Sequence, residues 1–365
     1  MRSRNLLVAL VVCMALIPVA CGDDEEAAPA AVPCDLDGAT CRYLEGKDFS
    51  GQTLTVGVWG GDIEVLLRDM VIPVLEARGA KVELLLGGGG DRLAKIYAEA
   101  GDPTMDVAYL NIHTGRLAMQ DGVVEAASDE IPAYSQLYPV AREAGVYGMS
   151  VFGVGILYNT DLFDGPPEWA DLWLPEHNGR IAFPTFPSTG GDTLIAVAAR
   201  LEGGDEHDPD LAINKIAELG DVPLVYTSLD ELGTLLDRGE VHAAPNLSAY
   251  SFTLVDNFDN IGFSFPTDPG PVLGMDTVVI TEGTPNRELA LAWVQVVLSP
   301  STQLAYAERL YFGPTNSTVG VSAELAERVV YGQEAVEALV SLDWGYVAES
   351  RSGLTERWNK EILGG

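Results

Sequence analysis

From Leu54 onward the chain repeats one pattern, a short apolar run followed by an amphipathic stretch, and that pattern leaves few folds open. Leu54-Thr55-Val56-Gly57-Val58-Trp59 is an apolar run that stops at Gly60-Gly61, as a buried strand does. Residues 63–78 have helical spacing and halt at Gly79. Residues 81–86 read as a second strand, Asp91 as the cap of a helix reaching Ala100, and residues 106–110 as a third strand. Strands separated by helices call for crossover connections, so a mainly parallel sheet with helices on both faces is expected. Ligands on such sheets bind beyond the carboxyl ends of the strands. The rim so defined is Trp59-Gly60-Gly61, Gly87 to Gly90 and Asn111-Ile112-His113.

Residues 147–159 form an extended apolar segment punctuated by Gly148, Gly153 and Gly155. A second α/β region follows, with a strand at 179–184 and helices at 191–201 and 211–219. Residues 278–280 return to strand character and 287–298 to an amphipathic helix. With 365 residues and 47% hydrophobic content, two domains are expected.

The first residues read as an export signal. Arg2 and Arg4 precede the apolar run 6–17, which is too short to span a bilayer core of about 30 Å. The run closes on Pro18-Val19-Ala20-Cys21, and a small residue before a cysteine resembles the bacterial lipoprotein cleavage site. Residues 1–20 would then be removed and Cys21 acylated; an ordinary secretory signal is the other reading. The acidic tract from Gly22 to Pro29 cannot bury a core and suits a tether, assigned to residues 21–52. A periplasmic or cell-surface location follows, held to a membrane surface through Cys21.

Four cysteines are present. Cys13 leaves with the leader and Cys21 carries lipid, so Cys34 and Cys41 remain as a disulfide in an oxidising compartment. The net charge of −33 argues against nucleic-acid partners, which need a basic footprint. It would also gather cations near the surface without selecting one. No G-x-S-x-G, H-E-x-x-H or G-x-x-x-x-G-K-[ST] motif occurs, and the four histidines lack metal-ligand spacing. No metal, cofactor or catalytic residue is therefore expected. A lipid-anchored hydrolase is the alternative of a different class, and a passive adhesin a third.

An ordered set of segments resembles the solute-binding proteins of bacterial ABC importers, closest to the polyamine type with its iron(III)- and thiamine-binding relatives. It comprises 155–161, 166–173, 175–180, 274–277, 298–303 and 313–316. The resemblance implies a type II periplasmic-binding-protein fold: two α/β lobes, each a mainly parallel sheet flanked by helices, closing on a small solute and delivering it to a membrane permease. Lobe one would be 53–158 plus 276–319, and lobe two 159–273 plus 320–365. A monomer is expected.

The resemblance also nominates site residues. Trp59 falls where the family places an aromatic, whose ring face holds a cation for ~0.5–2 kcal/mol. Asp276 matches the aspartate that pairs a ligand ammonium, His113 a position that is tyrosine in polyamine binders, and Phe312 one that is often tyrosine. Asn111 lies on the rim, and Asn246 follows Pro245 where the polyamine group has tryptophan. The acidic pair that holds a far amine in lobe two has no counterpart. In its place Ser188-Thr189-Gly190-Gly191-Asp192 opens a helix, whose free N–H groups suit an anionic group unless Ser188 or Thr189 caps them. A polyamine-like or other amine is the expected solute, with an anionic or zwitterionic solute as the alternative.

Overall fold

A computed structural model describes residues 34–364. The leader, Cys21 and the acidic tract lie outside the described residues. The strands are β1 (Thr53–Val58), β2 (Lys81–Leu86), β3 (Val107–Asn111), β4 (Tyr147–Asn159), β5 (Phe183–Pro184), β6 (Val225–Tyr226), β7 (Ala243–Leu247), β8 (Ile261–Ser264), β9 (Val272–Ile280) and β10 (Gly313–Pro314). β1 pairs in parallel with β2 and with β3, and β5 with β6, as the alternation of strands and helices requires. β4 and β9 run antiparallel to their neighbours.

β4 holds the molecule together. Its first part pairs with β9 and β10 in lobe one. From Val154 onward it pairs with β7 and β8 in lobe two. The strand thus changes partners around Gly153 and Val154. Every residue of β4 and of β9 is buried, including the polar Ser150, Asp276 and Thr277, which is why β4 reads as a long apolar run while only 278–280 of β9 does. The glycines in this region make room for neighbours. A Cβ on Gly274 would lie 1.9 Å from the Phe152 ring, and one on Gly155 would lie 2.3 Å from the Ser264 carbonyl.

Two local expectations change. The helix over 63–78 is split into Asp62–Met70 and Ile72–Glu76. Pro73 lacks an N–H and its ring clashes with the preceding turn, so one continuous helix cannot form. The tether does not extend to residue 52. Gly38–Leu44 is a helix capped by Asp37, and Leu44 and Phe49 are buried in the core. Each such side chain stabilises by about 1.5–3 kcal/mol when removed from water. Gln295 Nε2 donates to Thr40 Oγ1 at 2.8 Å, fastening the segment to the helix Arg287–Val297. The Cys34–Cys41 disulfide is formed and closes the start of this docked segment.

The C-terminal helix Trp344–Arg357 touches both lobes. It packs along the helix Ile112–Gln120 of lobe one, and its Arg351 pairs with Asp192 in the lobe-two helix Thr189–Leu201. Just beyond it, Trp358 stacks on Phe186 at 5.3 Å. Its expected assignment to lobe two alone is thus too narrow.

Candidate ligand site between the lobes

The carboxyl ends of β1 and β3 and the middle of β9 bring one group of side chains together. In register, Asp276 of β9 lies opposite Asn111 of β3 on one side and Ser150 of β4 on the other. Side chains directly opposite one another share a face of the sheet. Asn111 Nδ2 accordingly donates to Asp276 Oδ1 at 2.8 Å. Ser150 Oγ is buried with no hydrogen-bond partner.

Asp276 is 5% exposed. Burial raises its pKa to about 7, against the lowering effects of the Asn111 hydrogen bond and the Arg92 charge. A buried carboxylate is costly without a counter-charge. Asp276 is therefore the acid in this wall that most needs a cation.

Arg92 is the residue that the sequence pattern did not nominate. It is 4% exposed and lies in the helix Gly89–Ala98, after the glycines that end β2. Its Nε donates to Tyr109 O at 2.9 Å and its Nη1 to Gly87 O at 2.5 Å. Its Nη2 is buried without a partner. The guanidinium lies 4.5 Å from the Trp59 ring centroid, and Trp59 meets Tyr109 edge-on at 6.4 Å. Trp59 therefore holds an arginine already present in the protein. A strand-interior signal existed at Gly57, where a Cβ would come within 2.7 Å of Arg92 Cδ.

The other nominated residues divide. Phe312 is fully buried, edge-on to Phe152 at 5.8 Å and to Tyr250 at 5.7 Å. It lines the aromatic floor that joins lobe one to the lobe-two helix Ser248–Asn257. Asn246 turns into lobe two, where its Nδ2 donates to Ser251 Oγ at 3.0 Å. Ser188 acts as the N-cap, accepting from the Gly191 N–H at 3.1 Å, and Gly190 packs on Pro184.

Asp192 and His113 belong to a second buried group. Asp192 pairs with Arg351, and burial raises its pKa to about 6 against the pull of that charge. His113 lies 5.9 Å from the Trp344 ring. Burial first, and the Arg351 charge second, keep this imidazole neutral. Thr189 is buried beside Asp192 in the same first turn. Among the described residues no cluster of three or more metal-ligating side chains occurs, and no helix is long and apolar enough to cross a membrane.

The profile of the family described as bacterial extracellular solute-binding protein matches residues 71–329. The chain belongs to this family. It is a bacterial extracellular solute-binding protein, and it has the type II periplasmic-binding-protein fold. A γ-aminobutyric acid-binding protein of Pseudomonas aeruginosa is 22% identical over 85% of this chain and 92% of its own length. The crystal structure of an ABC transporter protein from Clostridium perfringens superposes with a TM-score of 0.74 at 24% identity, covering 85% of this solute-binding protein and 99% of that chain. A spermidine/putrescine substrate-binding protein from Streptococcus pneumoniae does so at 0.68 and 18%, again over 85% and 99%.

Proposed function

We propose that this solute-binding protein captures a small organic solute bearing one ammonium group, closes its lobes on it, and presents it to an ABC permease while anchored through lipidated Cys21. Asp276 carries this reading. It is a buried acid in the middle of β9 beside the end of β3, and Asn111 is the described side chain that hydrogen-bonds it. An ammonium would supply a cation in direct contact, which Arg92 does not, and the edge-on aromatics around Phe312 suit the apolar part. The kinship with a γ-aminobutyric acid-binding protein agrees with a single ammonium. A polyamine is less well served, because the buried acids of lobe two, Asp192 and Glu206, are already paired with Arg351 and Arg200.

A thermal-shift screen of monoamines, diamines and amino acids is expected to stabilise the mature protein with at least one amine. Solution scattering should show a smaller radius of gyration with that ligand. Tight binding of a purely anionic solute, or binding without compaction, would overturn the reading. Anchoring has its own test. Wild-type protein from the native host should carry acyl chains on Cys21 by mass spectrometry, and Cys21→Ser should lose them; an unmodified mature Cys21 would remove the anchor.

A further inference from the structure

Arg92 has the features of a ligand-binding group. Two of its three nitrogens are committed to the carbonyls of Gly87 and Tyr109, which fix the guanidinium plane at the ends of β2 and β3. The Trp59 ring 4.5 Å away restrains it further. The remaining nitrogen, Nη2, is buried and unpartnered. Buried donors in folded proteins are paired in the great majority, and one left unpaired on a charged group is costly. The residue is thus a rigid cation with one nitrogen, and both of its N–H groups, unused. Gly89 adjoins the group, since a Cβ there would reach ordinary contact with Nη2 at 3.8 Å and with Trp59 Cζ2 at 3.9 Å.

Resting on the amine reading above, we propose that Arg92 receives a carboxylate of the same solute whose ammonium pairs with Asp276, so that the ligand is a zwitterionic amino acid lying along the lobe-one rim. Arg92 and Asp276 are held at the same end of β3: Arg92 Nε donates to Tyr109 O, and Asn111, two residues on, donates to Asp276. Their sum is neutral, which matches a ligand that is neutral overall but charged at both ends. A monoamine would leave the Arg92 N–H groups unused. A diamine would bring its second ammonium toward a guanidinium. Arg92 is also better suited to a carboxylate than the helix start at Ser188. There the Gly191 N–H is already capped, and Asp192 in the first turn contributes a carboxylate of its own.

The test is a calorimetric titration of the mature protein with a length series of ω-amino acids from glycine to 5-aminovalerate, the matching monoamines, and putrescine. The wild type is expected to bind its best amino acid at least 10-fold more tightly than the monoamine of equal length. Arg92→Met should lose amino-acid affinity by 30-fold or more and monoamine affinity by less than 3-fold. Arg92→Lys, which keeps the charge and one donor, should fall between, and it replaces Arg92→Met as the test if the latter does not fold. Equal losses for both ligand types would make Arg92 a structural residue and overturn the proposal. Preference for putrescine, with binding still abolished in Asp276→Asn, would overturn it and leave the amine reading standing. Indifference of all binding to Asp276→Asn would overturn both.

Discussion

Replacing Asp276 with alanine is expected to weaken amine binding by about 2–5 kcal/mol, the range found when one member of a buried charge pair is truncated. The loss should depend on pH. Burial raises the Asp276 pKa to about 7 in the ligand-free protein. A carboxyl group raised in this way stabilises the fold below its unfolded pKa near 4, and that contribution is lost as pH rises through about 7. Above pH 7 the protein carries a buried carboxylate with no cation in contact, which an ammonium relieves. Below pH 7 the ligand must displace a proton. Affinity should therefore fall roughly 30-fold between pH 8 and pH 5.5 in the wild type, by proton linkage. In Asp276→Ala the weak residual affinity should be flat over that range. Titration calorimetry at both pH values, in buffers of different ionisation enthalpy, reads the affinity and the proton released. Unchanged affinity in the variant, or a wild-type affinity independent of pH, would remove Asp276 from the site.

Two parts of the site were visible in the sequence as strand ends: Trp59 and Asn111 lie where short apolar runs stop, and the fold class fixes where those stops meet. Asp276 sits in the middle of β9 and was legible only through the family resemblance. Arg92 was invisible for a different reason. It lies inside a helix, where an arginine ordinarily faces solvent, and its burial depends on Gly57, in β1 four elements earlier, making room for its stem. Asp192 was visible as a residue but not as a pair. Its partner Arg351 is far along the chain, and no periodicity connects them. Without that partner the helix start at Ser188 looked open to an anion. The docking of residues 38–49 was missed because Leu44 and Phe49 are isolated apolar residues in a polar stretch, too few to show a period.

Arg351→Met is expected to cost about 3–5 kcal/mol of stability near neutral pH, the range for breaking a buried ion pair from one side. Asp192 would be left at 5% exposure with no cation, while the methionine would preserve most of the apolar stem contacts. The sign with pH follows from burial. Asp192 already titrates near 6 in the fold, so its contribution to stability is lost as pH rises from about 4 through 6. Removing Arg351 takes away the charge that opposes this rise and moves its pKa further up. The penalty should accordingly be small at pH 5, where Asp192 can take a proton, and large at pH 8. The double variant Arg351→Met with Asp192→Asn should recover much of the loss, because no buried charge is then left. The effect should extend beyond lobe two. The same helix carries Trp344 against His113 of lobe one, so loosening Arg351 releases a strut that spans both lobes. Urea unfolding of the single and double variants at pH 5 and pH 8 measures the stability difference directly, and hydrogen exchange over the helices 112–120 and 344–357 reads the loosening. A penalty equal at both pH values, or no rescue in the double variant, would mean that the pair contributes by packing rather than by charge.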